Sequence, residues 1–188
     1  MADQGAQGKR IRVKDKNFRF YLGKDRIDEI IRGLADRIDH DYRGKTPLIL
    51  GILNGAFIFT SDLVRKLTIP CEISFVKYTS YDGMAGGGKM NRLIGLNESI
   101  RGRHVIITED IVDTGNTMAR LLEDLEQYEP SSVSIASFCF KKQAFRENFT
   151  IDYCGLVIPD LFVVGYGLDY DGAGRNFPDL YQFDESNG

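Results

Sequence analysis

Short apolar runs alternate along the chain with longer amphipathic stretches, and polar or glycine-bearing turns join them. Leu48-Ile49-Leu50-Gly51-Ile52-Leu53 is unbroken, the pattern of a parallel strand buried on both faces. Asn54-Gly55 then turns the chain into a helix predicted over Phe57 to Leu67. Val105-Ile106-Ile107 begins a second such unit. Met118, Leu121, Leu122 and Leu125 follow at i, i+3, i+4, i+7, so a helix starts near Asn116. An earlier helix from Lys24 carries one stripe of Ile27, Ile30, Ile31, Leu34, Ala35 and Ile38. Cys71 to Lys77 alternates as a strand, and Leu93 to Leu96 returns as its partner in a long-tipped β-hairpin. Phe18, Phe20 and Leu22 alternate as a short strand, and Val133 to Phe140 reads as another.

Strands alternating with helices predict an α/β fold, a Rossmann-like central parallel sheet flanked by helices. Residues 17–188 form one domain in this reading, with a small hood lobe from about 17–22 and 145–180. Residues 1–16 are polar and read as a disordered tail, without the apolar stretch of a signal peptide. Ligands bind such sheets at the carboxyl ends of their strands. The Asn54-Gly55 turn, the acidic loop after Thr108, Lys141 and Asp169 all follow apolar strands, so the topology brings them to one edge.

Composition narrows the function. Hydrophobic residues make up 43% of the 188, enough for a sizeable core, and the net charge of −3 gives no basic field for nucleic acid. No run reaches membrane-spanning length. Cys71, Cys139 and Cys154 are far apart and, with only two histidines, lack zinc spacing. They read as free thiols of a cytoplasmic protein.

The chemistry concentrates in Glu109-Asp110-Ile111-Val112-Asp113-Thr114-Gly115-Asn116-Thr117. The first amides of a helix lack internal partners and favour an anion. Gly115 permits close approach, and Thr114 and Thr117 add hydroxyl donors. Three carboxylates beside a phosphate call for something between them, and Mg²⁺ with a sugar diol is one resolution. Asn54-Gly55 offers a second phosphate site. Ser80-Tyr81 opens a stretch with four glycines, placed as a mobile lid between the two phosphate loops.

The acidic motif resembles the signature of type I phosphoribosyltransferases. Ser80-Tyr81, the Leu53-Asn54-Gly55 turn and the segment Ile158-Pro159-Asp160-Leu161-Phe162-Val163-Val164-Gly165-Tyr166-Gly167-Leu168-Asp169-Tyr170 sharpen the resemblance to hypoxanthine-guanine phosphoribosyltransferases. It runs from about Phe18 to Arg175. The resemblance implies purine salvage: a 6-oxopurine and phosphoribosyl pyrophosphate give a nucleotide and pyrophosphate, with Mg²⁺. It implies that Glu109 and Asp110 hold the ribose hydroxyls, that the 113–117 loop takes the 5-phosphate, and that Leu53, Asn54, Gly55 and Arg175 take pyrophosphate. A cis peptide at Leu53–Asn54 is expected. Asp169, with Glu109 and Asp110, is assigned to the metal. Asp113 accepts a purine ring proton, Phe162 stacks on the base, the Val163 backbone pairs with its edge, and Lys141 donates to the 6-oxo group, with Lys142 as the alternative. Ser80 and Tyr81 close over the site. The family suggests a homodimer or homotetramer. Asn54 and Asn116 depart from relatives that carry lysine there. The rival function is a regulator on the same scaffold that binds the sugar phosphate as an effector; it would need a nucleic-acid-binding element, which this sequence does not show.

Overall fold

The computed structural model describes residues 9–79, 91–94 and 99–185. Its parallel strands form where the aliphatic runs lie: β3 (Leu48–Leu53), β4 (Glu72–Thr79), β6 (His104–Val112), β7 (Ser132–Phe140) and β8 (Tyr153–Val157). The sheet order is β5-β4-β3-β6-β7-β8, with β5 (Asn91–Ile94) antiparallel to β4 at one edge. β5 contains Leu93 and Ile94 of the expected Leu93–Leu96 strand, and residues 95 and 96 lie outside the described residues. The hairpin tip, with Ser80 and Tyr81, lies outside the described residues.

Alternation along each buried strand decides which helix it meets. Ile49, Ile106, Ala136 and Phe138 face the core formed with α1 (Lys24–Asp41) and α2 (Phe57–Val64). Leu48, Leu50, Val105, Ile107 and Ile135 face the other core, with Met118, Leu121 and Leu125 of α3 (Asn116–Glu126). Both faces are therefore covered, as a parallel sheet requires. α2 ends at Val64, short of Leu67, and its last turn tightens through the Lys66 amide to the Leu63 carbonyl. A buried hydroxyl pair, Thr60 to Thr108 at 2.7 Å, ties α2 to β6 one residue before the acidic motif. Gly51 admits this packing, since a Cβ there would lie 2.7 Å from Phe75 and 2.9 Å from the Thr60 hydroxyl.

The hood is a second, four-stranded sheet in the order β1-β2-β10-β9. Its strands are β1 (Arg10–Val13), β2 (Lys16–Leu22), β9 (Val163–Val164) and β10 (Leu180–Phe183), around a core of Val13, Phe18, Val164 and Tyr181. Two expectations are corrected here. The segment 10–16 is not a tail: Ile11 and Val13 alternate with Arg10 and Arg12, pair antiparallel with β2 and pack into the hood. Ion pairs from Lys9 to Asp179 (2.7 Å) and from Arg10 to Asp184 (3.2 Å) fasten it. Residues 153–157 belong to the main sheet, because β8 pairs parallel with β7 and Gly155 lets it approach the Phe138 carbonyl. The hood draws instead on β10, beyond the expected boundary at 180.

Candidate active site

β3, β6 and β7 run parallel, so the loops that leave their carboxyl ends lie side by side. The β6–α3 loop borders a cavity of ≈ 240 Å³ whose lining includes Leu53, Tyr78, Glu109, Asp113, Gly115 and Thr117. Gly115 caps α3 with φ +92°, a left-handed conformation suited to glycine, and any Cβ there would meet Phe145 and Glu147 within 3 Å. The Thr114 carbonyl accepts the Arg146 amide at 3.0 Å, which anchors the loop from outside. Thr114, Asn116 and Thr117 are exposed at the head of the helix, where the first amides are available to an anion.

The neighbouring turn after β3 has a cis peptide at Leu53–Asn54, as expected. Gly55 abuts the acidic motif: a Cβ on it would sit 1.8 Å from Asp110 Oδ2. A Cβ on Gly167 would likewise meet the Gly55 carbonyl at 2.2 Å. Three segments far apart in sequence therefore meet, with no space for a side chain at Gly55 or Gly167. Lys77, beside Leu53 in the β3–β4 register, donates to Asn54 Oδ1 at 3.3 Å. This places a cation beside Asn54, a feature no local sequence signal gave.

Asp110 is buried and Glu109 is half-buried. Burial raises the carboxyl of Glu109 well above its ordinary range, and the adjacent Asp110 raises it further. Burial also raises Asp110, against the amide of Ile111 and the charge of Arg175. Arg175 is directed by Asp169 Oδ1 at 2.8 Å and by the Gly167 carbonyl at 2.6 Å, and Asp169 Oδ2 accepts the Gly172 amide at 2.6 Å. Among the described residues no group of three or more His, Cys, Asp or Glu is gathered to hold a metal. Asp169, Glu109 and Asp110 therefore do not form one ligand cluster. A donor set of one or two carboxylates still fits Mg²⁺, which keeps waters and takes further oxygens from substrate phosphates.

On the far side of Asp113 the site changes character. Lys141, at the end of β7, is buried, and its ammonium lies 3.0 Å from Asp113 Oδ2 and 3.0 Å from Asp160 Oδ1. Burial works to lower the Lys141 pKa, but the two carboxylates outweigh it and the net shift is upward. Lys142 is exposed. Phe162 is 42% exposed, its edge packed against Phe18 and Tyr170 with centroids 5.9 and 5.8 Å away. Val163 lies on β9, the edge strand of the hood, so one side of its backbone is outside the ladder. Lys16 stands over the rings of Tyr170, Phe183 and Phe162 at 4.6, 5.2 and 5.7 Å. Lys16 and Asp160 were given no role by the sequence; Asp160 sat inside the motif segment, two positions before Phe162.

A larger cavity of ≈ 380 Å³ opens between α1 and α2, lined by Lys24, Asp28, Asp62 and Tyr166 among others. It includes none of the predicted site residues, and the Tyr166 hydroxyl already donates to Asp62 at 2.8 Å. Of the two cavities, chemistry favours the smaller.

Residues 23–171 match the phosphoribosyl transferase domain. The chain is 36% identical over 163 residues to the hypoxanthine-guanine-xanthine phosphoribosyltransferase of Tritrichomonas foetus, covering 85% of this chain and 88% of that one. It is 38% identical over 158 residues to the hypoxanthine-guanine phosphoribosyltransferase of Streptococcus pneumoniae, covering 84% and 88%. A solved hypoxanthine phosphoribosyltransferase from Trypanosoma cruzi superposes with a TM-score of 0.84 at 32% identity, over 92% of this chain and 98% of that one. The chain belongs to the phosphoribosyltransferase family, in its hypoxanthine-guanine branch.

Proposed function

We propose that the chain transfers the phosphoribosyl group of phosphoribosyl pyrophosphate to hypoxanthine or guanine in purine salvage, releasing pyrophosphate with Mg²⁺ bound. The observation that carries the reading is the 3.0 Å pair of Lys141 and Asp113 next to the phosphate-binding loop. It sets an oxo-group donor and a proton acceptor side by side, where a 6-oxopurine presents both complementary groups. The amides of 114–117 hold the 5-phosphate, and Glu109 and Asp110 receive the ribose hydroxyls. The Leu53-Asn54-Gly55 turn and Arg175 take the pyrophosphate. Phe162 covers one face of the base, while the open backbone edge of Val163 pairs with its rim. The resemblance further assigns Ser80 and Tyr81, which lie outside the described residues, to excluding water from a ribosyl group carrying oxocarbenium-like charge.

Asp113 accepts the ring proton as the base attacks C1. Lys141 donates to a 6-oxo group and opposes the 6-amino group of adenine, which offers a donor where an acceptor is needed. One or two of Asp169, Glu109 and Asp110 would hold Mg²⁺ together with water and substrate oxygens, and the bound ion would supply charge neutralisation for the departing pyrophosphate.

We place the protein in the cytoplasm, in keeping with its free cysteines, and expect a homodimer or homotetramer with no nucleic-acid or membrane partner. Among the described residues no helix is long and apolar enough to cross a membrane. Pyrophosphate release measured with phosphoribosyl pyrophosphate and each of hypoxanthine, guanine and adenine tests the activity. Release with 6-oxopurines alone supports it. Binding of the sugar phosphate without turnover, alongside a nucleic-acid gel shift, would favour the regulator.

A further inference from the structure

We infer that Asp160 is a positioning residue for the purine: it holds the Lys141 ammonium so that one donor faces the 6-oxo group while Asp113 is released to the base. This inference rests on the proposed activity. An ammonium has three N–H donors. In this structure two are directed at carboxylates, Asp113 Oδ2 and Asp160 Oδ1, each at 3.0 Å. The remaining direction is available to an oxo group.

The two acids reach the lysine from different elements. Asp113 comes from the β6–α3 loop and must turn to a purine N–H during the reaction. Asp160 comes from the turn after β8, two residues before Phe162. It therefore reaches Lys141 from an element separate from the β6–α3 loop, so its contact does not depend on that of Asp113. The lysine backbone is fixed as well, since its amide donates to the Val112 carbonyl at 2.9 Å. Only the head of the side chain is left for the acids to direct. Without Asp160 the ammonium has Asp113 as its one anionic contact in this set. The entering base would then have to break that pair before either group could serve it.

The effect belongs to base binding rather than to bond cleavage. Replacing a carboxylate by an amide removes the charge from one hydrogen bond, and with the Asp160 side chain 64% exposed to screening water this corresponds to roughly a two- to fivefold change in a binding constant. Steady-state kinetics of the full chain, wild type against Asp160→Asn and Asp160→Glu, test this with hypoxanthine and with phosphoribosyl pyrophosphate. In Asp160→Asn the KM for hypoxanthine should rise roughly fivefold, with kcat and the KM for the sugar phosphate each within about twofold. Asp160→Glu should recover most of the loss. Asp160→Ser serves where Asp160→Asn does not fold. An unmoved hypoxanthine KM in an active wild-type background, or equal losses for both substrates, would overturn the inference alone. A wild type inactive with both hypoxanthine and guanine would overturn the activity and this inference with it.

Discussion

The two ends of the site are built from different material. The proposed phosphate end consists of backbone: helix amides, a left-handed glycine, and two turns pressed together at Gly55 and Gly167. Its side chains, Thr114, Asn116 and Thr117, are exposed. The proposed purine end consists of charge: one buried lysine between two acids, with Phe162 two residues beyond Asp160. On the proposed assignment the first end should be sensitive to added volume and tolerant of changed side chains, and the second sensitive to the loss of a single charge.

Substitutions at the two ends should separate cleanly. The largest effect is expected at their junction: Asp113→Asn should lower kcat by about 10²- to 10⁴-fold, the range for a positioned acid–base group. Affinity for phosphoribosyl pyrophosphate, measured by calorimetry, should hardly change. Equal losses in both would reduce Asp113 to a phosphate-loop residue. Next comes Lys141→Met at the charged end, which should weaken hypoxanthine binding by roughly 10- to 100-fold, as expected for losing a charged hydrogen bond, and narrow the preference over adenine. At the backbone end, Gly55→Ala puts a methyl group on the Asp110 carboxylate and should weaken sugar-phosphate binding at least about tenfold, while Asn116→Lys at the exposed helix head should stay within about threefold. A Gly55→Ala variant of unchanged affinity would show that the turn can give way.

The smallest effect lies away from the site, in acid stability. Burial works to raise the Asp39 carboxyl, but the Thr68 hydroxyl and the amides of Thr68 and Ile69 hold it below its ordinary value. A lowered carboxyl contributes stability above its unfolded pKa and loses it as pH falls through the folded one. Asp39→Asn should therefore reduce Tm at neutral pH and narrow the gap from wild type under acid conditions. A gap that persists unchanged at low pH would assign the effect to geometry instead of charge.

Much of this was legible because local pattern and topology agreed. The β3 and β6 runs, the α1 and α3 stripes, and the loops at the strand ends needed only periodicity and the rule for parallel sheets. The errors came where the signal was thin. Arg10–Val13 has two apolar residues among charges, and only pairing with β2 makes it a strand. Tyr153–Val157 carries a glycine, and its place in the main sheet depends on contact with Phe138 and Ile30, which are distant in sequence. Asp160 and Lys77 escaped notice for the same reason, because their partners Lys141 and Asn54 are brought to them by the fold. Lys141, Asp113, Asp169 and Arg175 stood in recognisable segments of the sequence, whereas the pairings that tie Asp160 to Lys141 and Lys77 to Asn54 became visible only in three dimensions.

A crystal structure with the nucleotide product bound tests the account most directly. The phosphate should lie on the amides of residues 114–117, with the ribose against Glu109 and Asp110, the base on Phe162 and its oxo group facing Lys141. A nucleotide seated instead between α1 and α2, or anywhere that leaves the 109–117 segment without ligand, would contradict it.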